Sequence, residues 1–353
     1  MIRTSHYLFA ALCLGSLFAC SRQFTDSYIV PKWCFAVFML FIVLAYEAVN
    51  ILFYRQNEQK DTRISVYGFI IVISCFLQAM FGVVQFFGFF QISTTLWVTG
   101  SFDNPAGFAA CLCAGFPFVG FLLSDSNKYI RYVGGLIGFV IVIAVILSQS
   151  RAGIMSIAFI CFILLNMKFF HKRWVKYLSL LCFALLLSGC YWMKKDSADG
   201  RLLIWRCSVS MVKDAPWLGH GIGSFEARYM DYQADYFRQY GLNRYSMLAD
   251  NVKHPFNEYL GVLLNFGFVG LLMILALITL LIYCYKKHPC AEKRIAFYSL
   301  ISIGVFSFFS YTFTYPFTWI VTFLCIIILT KEYIAKVFTC PIIKNLSLIH
   351  ISE

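Results

Sequence analysis

Long apolar runs alternate with short polar breaks along this chain, and most of the runs are longer than a soluble helix needs. Ten of them read as spanning helices, at roughly 6–20, 33–54, 64–92, 105–123, 130–147, 152–167, 177–193, 257–285, 295–314 and 316–330. A bilayer-crossing helix needs about 20 apolar residues, fewer when tightly packed among neighbours. The third and eighth are long enough to tilt, kink or extend beyond the bilayer. One polar interruption stands out, at 194–256, and carries "GRLLIW" (200–205) and "DAPWLGHGIGSF" (214–225). It is followed by "HPFNEYLGVLLNFGFVG" (254–270), which starts as a loop and runs straight into the eighth helix. The pattern predicts an all-α polytopic membrane protein of about ten transmembrane helices, a single domain over 1–345 with one large loop at 194–256. No internal repeat or low-complexity linker divides it.

Composition agrees with this class. Of 353 residues, 60% are hydrophobic and only 13% charged, against about 25% charged in soluble domains. Mean hydropathy is +0.74. The 38 Phe, 21 Tyr and 7 Trp suit lipid-facing surfaces and interfacial belts. The net charge of +12 does not indicate nucleic acid, because the basic residues lie between apolar runs, where topology demands them. Most of the 14 cysteines sit inside apolar runs as small hydrophobic side chains. Without a CxxC or a Cys/His cluster of zinc spacing, no metal site is expected.

Lys and Arg in the loops fix the orientation. With the N-terminus inside, the inside segments 1–5, 55–63, 124–129, 168–176, 286–294 and 331–345 hold 16 such residues; the short outside segments 21–32, 93–104 and 148–151 hold 3. The long segment 194–256, exempt from the rule by length, is also outside. Both termini are therefore expected in the cytoplasm and the large loop outside. Residues 1–20 are read as a first membrane helix rather than a cleaved signal, since "LFAC" (17–20) fits a lipoprotein box poorly. The last eight residues, "LSLIHISE" (346–353), read as a non-native, adaptor-derived tail, so that the true C-terminus is expected to be missing.

That orientation puts "SFDNPAG" (101–107), "SQSRAG" (148–153) and the 194–256 loop on one face. Asn104 before Pro105 is a helix cap; Arg151 opens the next inward-running helix and Pro255 another. Three helix N-termini on one side would offer N–H groups to an anion. Arg151 is costly so near hydrocarbon, which makes it either an interfacial anchor or a functional group. Arg201 and Arg206 flank "LLIW", and a guanidinium there converging with Arg151 would suit a pyrophosphate. Arg201 is the better placed of the two. "GHGIG" (219–223) lacks the βαβ surroundings of a dinucleotide loop and reads as a tight turn, with His220 incidental. His254, held extended by the following proline, could take a proton from an acceptor hydroxyl. Glu258, one turn on, either orients it or replaces it as base. Glu47 and Asn50 are expected to make a structural polar contact near the cytoplasmic end of the second helix.

The four stretches "SFDNPAGFAA", "SQSRAGIMSIA", "GRLLIWRCSVSMVKDAPWLGHGIGSF" and "HPFNEYLGVLLNFGFVG" run in order over 101–270, close to half the chain. Together they resemble the O-antigen ligase and O-antigen polymerase superfamily of bacterial envelope glycosyltransferases. "FNEYL" is similar to the variants of Bacteroidetes-type bacteria. The resemblance implies a helical membrane fold, GT-C-like, working outside the cytoplasm at the inner membrane without metal or cofactor. Its donor would be a glycan on undecaprenyl pyrophosphate, and its acceptor a hydroxyl of lipid A-core, a growing glycan or a protein. The family's two important arginines correspond to Arg151 and Arg201, and Asn257, Gly267 and Gly270 belong to its structural motif. The chain departs from the family at Phe256, where a histidine usually precedes the asparagine, and its helix count falls below the usual dozen.

The reading these features favour is a lipid-linked glycan transferase, a ligase or a protein O-glycosylating relative. Arg151, Arg201 and Asn104 would bind the pyrophosphate, and His254 or Glu258 would activate the acceptor. A polymerase would use the same motifs. A non-catalytic amphiphile transporter or flippase would instead place charged or helix-breaking residues deep in several spans, where this sequence is nearly uncharged.

Overall fold

The structure, a computed structural model, describes residues 2–53, 60–89, 98–168, 172–193 and 195–338, and these form helices joined by turns, with no strand among them. In order they are α1 (Ile2–Phe18), α2 (Ile29–Phe53), α3 (Lys60–Phe86), α4 (Pro105–Gly115), a 3₁₀ turn (Phe116–Val119) and α5 (Gly120–Leu123). There follow α6 (Lys128–Leu147), α7 (Arg151–Lys168), α8 (Arg173–Met193), α9 (Lys195–Asp214), α10 (Ser224–Tyr240), α11 (Glu258–Lys287), α12 (Ala291–Phe309) and α13 (Pro316–Phe338). All ten expected helices have counterparts, although the ends of the second and third and the 346–353 tail fall outside the described residues. Among the described residues six helical stretches are long and apolar enough to cross a membrane, and α1 and α7 are shorter apolar helices. The chain is a polytopic membrane protein.

The core gathers around α4. Every residue from Gly107 to Gly115 is buried, and the run of Ala, Cys and Gly lets α3, α7, α12 and α13 approach it closely. Pro117 has no N–H to give the carbonyl of Cys113, four residues back. The Ser302 hydroxyl on α12 donates to that carbonyl at 2.7 Å, and Ser299 donates to the carbonyl of Ala114 at 2.6 Å. A proline inside an apolar run is thus accommodated by two serines from another helix.

Two lysines that the sequence presents as loop charges are wholly buried. Lys32 Nζ donates to the carbonyls of Ala19 (2.9 Å) and Ser101 (2.8 Å) and lies 4.8 Å from the Phe102 ring centroid. It ties the end of α1 and the start of α2 to the loop that leads into α4. Lys293 pairs with Glu332, and Lys331 reciprocates with Glu292 at 3.0 Å, so two ion pairs join the start of α12 to α13. On α2, Glu47 accepts from the Ser5 hydroxyl at 2.6 Å, a structural contact; the side chain of Asn50 lies outside the described residues.

The 194–256 stretch differs from the expected loop. It is largely helical, and α9 and α10 build a second core with Leu203, Ile204, Cys207, Met211, Phe225, Tyr229, Tyr245 and Leu264. Its polar composition hid a helix pair that buries one stripe against the start of α11. The turn between them holds Gly219, Gly221 and Gly223 at positive φ, the tight turn that "GHGIG" suggests.

This turn locks into a break in α11. Gly267 has φ 63° and ψ −161°, which divides α11 in two. The peptide groups exposed by the break are satisfied by the turn. His220 N–H donates to the carbonyl of Leu264 (2.7 Å) and Gly221 N–H to that of Asn265 (3.0 Å). Phe268 N–H donates to the carbonyl of Pro216 (2.8 Å) and Val269 N–H to that of Trp217 (3.2 Å). A Cβ on Gly267 would lie 2.2 Å from the Trp217 carbonyl oxygen. Gly267→Ala is therefore expected to cost about 1–3 kcal/mol, the scale of a strained backbone, and to lower the thermal unfolding midpoint in detergent. An unchanged midpoint would mean that the break does not depend on this interlock.

Candidate active site

Arg151 is the first residue of α7. The chain reverses just before it, with Gln149 at φ 52°, and Ser150 caps the helix by accepting from Gly153 N–H at 3.3 Å. Arg151 is 8% exposed, and its guanidinium donates, among other contacts, to the Ser197 hydroxyl at 2.9 Å. A cation at a helix N-terminus has the wrong sign for the helix dipole, so this position raises an already positive local potential.

Ser197, Arg201 and Trp205 follow one another at four-residue spacing and share one face of α9. Arg201 therefore lies one turn from the contact that Arg151 makes. It donates to the carbonyl of Phe309, in the last turn of α12, at 2.7 Å, and its guanidinium carbon is 5.1 Å from the Phe256 ring centroid. Trp205 Nε1 donates to the carbonyl of Pro255 at 2.9 Å, which fixes the "HPFN" backbone to α9. Burial first, and then the positive charge of Arg151, lower the Arg201 pKa to about 10. It remains charged at neutral pH. Among the described residues no carboxylate pairs with Arg201.

The departure at Phe256 acquires a structural meaning here. Phe256 has φ 51°, rare for a residue with a side chain, and its ring lies against Arg201. The next residue, Asn257, then caps α11 by accepting from Leu260 N–H at 3.0 Å. The helix thus begins at Glu258, three residues after the proline that the sequence suggested as its start. Gly270, the last glycine of the motif, is buried on the far side of the Gly267 break.

Opposite lies a segment that sequence reading missed. The ninth apolar run reads as helix to 314, but α12 stops at Phe309 and Ser310 is extended. The turn through Tyr311–Tyr315 closes over the site. His254 stacks on Tyr311 with ring centroids 4.7 Å apart, and Phe256 meets the same ring edge-on at 5.3 Å. Tyr311 packs against Tyr315 with ring centroids 6.1 Å apart, and the Tyr315 hydroxyl donates to Asn104 Oδ1 at 3.2 Å. That oxygen also caps α4, accepting from Gly107 N–H at 3.0 Å. Glu258 Oε1 accepts from the backbone N–H of Phe313 at 2.8 Å. His254, Pro255, Asn257, Glu258, Tyr311, Phe313 and Thr314 line a cleft of about 180 Å³. "SYTFTYPF" (310–317) carried a faint signal, hydroxyls and a proline between two apolar runs.

Electrostatics suit an anion beside a neutral base. Burial lowers the His254 pKa below its ordinary value, with the charge of Lys253 adding to this and that of Glu226 opposing it. The imidazole is therefore neutral, and able to accept a proton, at pH 7. Burial also holds the Tyr311 phenol above its usual value, so it stays a hydrogen-bond donor.

The structure thus brings together Asn104, Arg151, Arg201, His254, Asn257 and Glu258 from stretches more than a hundred residues apart. Arg206 stands apart, 5.2 Å from the Tyr245 ring on the other side of α9. His220 is held in its turn by the carbonyl of Met211 (2.7 Å) and by Arg228 (3.1 Å), away from the cleft. Among the described residues no His, Cys, Asp or Glu group could hold a metal ion.

No curated protein matches the chain. The family model for O-antigen ligase matches residues 136–275. That span starts in α6, ends just past the Gly267 break in α11, and contains Arg151, Arg201, His254 and Glu258. Tyr311 lines the cleft from outside that span, and Asn104 is joined to it through Tyr315. Residues 136–275 thus carry the O-antigen ligase family match, which supports the superfamily that the ordered motifs resemble.

Proposed function

We propose that this protein moves a glycan from undecaprenyl pyrophosphate to an acceptor hydroxyl, on lipid A-core or protein, at the periplasmic face of the inner membrane. The family match over residues 136–275 supports a glycosyltransferase of the O-antigen ligase or polymerase type. The observation that carries the finer reading is the approach of two guanidiniums, Arg151 and Arg201, beside a cleft that holds a neutral histidine. Like charges brought together away from water repel, and a pyrophosphate would turn that repulsion into attraction through bidentate bonds. The N-terminus of α7 adds N–H groups of the same preference.

In this mechanism the acceptor oxygen attacks the anomeric carbon as the bond from that carbon to the pyrophosphate oxygen breaks. The pyrophosphate leaves on its lipid with the bonding electron pair, which inverts the anomeric centre. Arg151 and Arg201 stabilise the charge that develops on it. His254 receives the acceptor's proton. Deleting the gene should remove glycan from lipopolysaccharide or from glycoproteins, and comparing the two profiles identifies the acceptor. A change only in glycan chain length would assign a polymerase instead.

Arg151→Ala and Arg201→Ala should each abolish transfer while the protein stays in the membrane. Arg→Lys should rescue poorly, because an ammonium cannot reproduce the planar fork. Full activity in either alanine variant removes that arginine from the mechanism.

His254→Ala should slow transfer by about 10²–10⁴-fold, the usual worth of a general base. Because the His254 pKa is lowered, wild-type activity should hold through pH 6.5 and fall only as the imidazole protonates below that. A rate that falls already above pH 6.5 would contradict a buried, neutral His254.

Orientation is tested by Asp196→Cys and Tyr240→Cys, with the exposed native cysteines replaced. Both should react with impermeant thiol reagents in intact spheroplasts. Labelling only after lysis would put the site on the cytoplasmic side.

A further inference from the structure

Glu258 and the turn between α12 and α13 form one mechanical unit. The sequence leaves Glu258 open as a base or as an orienting group for His254. The structure gives its carboxylate a different partner, the backbone N–H of Phe313, at 2.8 Å. Phe313 sits two residues after Tyr311, and the rest of that turn is also tied down. Trp33 Nε1 donates to the carbonyl of Thr314 (2.8 Å), Trp319 Nε1 to that of Phe313 (2.7 Å), and the Thr318 hydroxyl to that of Thr312 (2.7 Å). Arg201 holds the upstream end through the carbonyl of Phe309. What the turn presents to the cleft is the Tyr311 ring, stacked on His254 and packed against Phe256, the ring beneath Arg201.

We propose that Glu258 is a positioning residue, the latch that fixes the 310–315 turn and so sets Tyr311 as the wall against which His254 and the Arg201–Phe256 pair are aligned. It does not take the acceptor's proton. This inference rests on the glycan-transfer reading above. Three features support it. One carboxylate oxygen of Glu258 is occupied by a backbone donor. Tyr311 contacts the histidine by its face, which constrains the ring plane while leaving its edge nitrogens free to meet an acceptor. Tyr311 also packs on Tyr315, which bonds to Asn104, so one turn joins the starts of α4 and α11.

The test exploits what a glutamine keeps. In Glu258→Gln the amide oxygen can still accept from Phe313 N–H, but the side chain can no longer take up a proton. The latch predicts that Glu258→Gln loses only a few-fold in transfer rate, by the small difference between a charged and a neutral acceptor. Its acid limb should stay where the wild type has it. Glu258→Ala should lose about a hundredfold, the scale set by misplacing a reacting group by ~1 Å. Tyr311→Ala should lose a similar factor, and the double variant Glu258→Ala/Tyr311→Ala should be no worse than the poorer single, since both break the same alignment. A base role predicts the reverse: Glu258→Gln as damaged as Glu258→Ala, a changed acid limb, and losses that multiply in the double variant. Either of the first two outcomes overturns the proposal. Arg201→Ala, assayed in parallel with membrane abundance, separates this from the parent reading. Its full activity would sink the transferase mechanism, whereas the Glu258 series decides the latch alone.

Discussion

A backbone surrounded by hydrocarbon must keep every N–H and C=O bonded, so a chain can leave the helix there only where other groups replace the lost partners. Among the described residues, three departures from the helix are sealed by residues from far away in sequence. At Pro117 serines from α12 replace the missing donor. At Gly267 the glycine turn between α9 and α10 satisfies both sides of the break. At 310–315 the seal is shared among two tryptophans, a threonine and Glu258. The last two departures are also what build the site. The first locks the helix pair that carries Arg201 onto α11, and the second lays Tyr311 over His254.

The same economy governs charge. Lys32 and Lys293 are wholly buried, yet each is surrounded by carbonyls, a ring or a carboxylate, and so is structural. Arg201 has a carbonyl and a ring, but its largest electrostatic neighbour is another cation. A helix C-terminus and an aromatic face stabilise a guanidinium without neutralising it. That leaves its charge available to a ligand, which Lys293, paired with Glu332, cannot offer.

Much of this was legible in the sequence, because membrane helices announce themselves by uninterrupted apolarity and buried arginines by their cost. Arg151 stood out for that reason, Arg201 through its place beside "LLIW" and the family resemblance, and the common face of the polar stretches followed from the placement of Lys and Arg. The helices α9 and α10 were not legible as such. Their mean polarity is that of a loop, and only a partner surface on α11 makes their narrow apolar stripe worth burying. Tyr311 was hidden by the opposite effect, since Tyr, Phe and Thr extend an apolar run smoothly past the point where α12 stops. Lys32 and Lys293 were counted as topological charges because nothing local reveals that a lysine beside a helix end has turned inward.

Phe256 shows how a departure from a family's usual residue can be absorbed. An aromatic ring at this position cannot exchange a proton, but it can lie flat beneath a guanidinium, and the left-handed backbone at φ 51° puts it there. The same twist leaves Pro255 facing Trp205 and His254 facing Tyr311. Shifting the histidine two positions back therefore need not move the imidazole out of the site, because the intervening residues turn around the proline rather than continue a helix. In the proposed mechanism Phe256 would orient the cation that holds the leaving group, while His254 would keep the proton chemistry. The strain at Phe256 is offset by three contacts made at once: the ring on Arg201, the ring edge on Tyr311, and the Asn257 cap that starts α11.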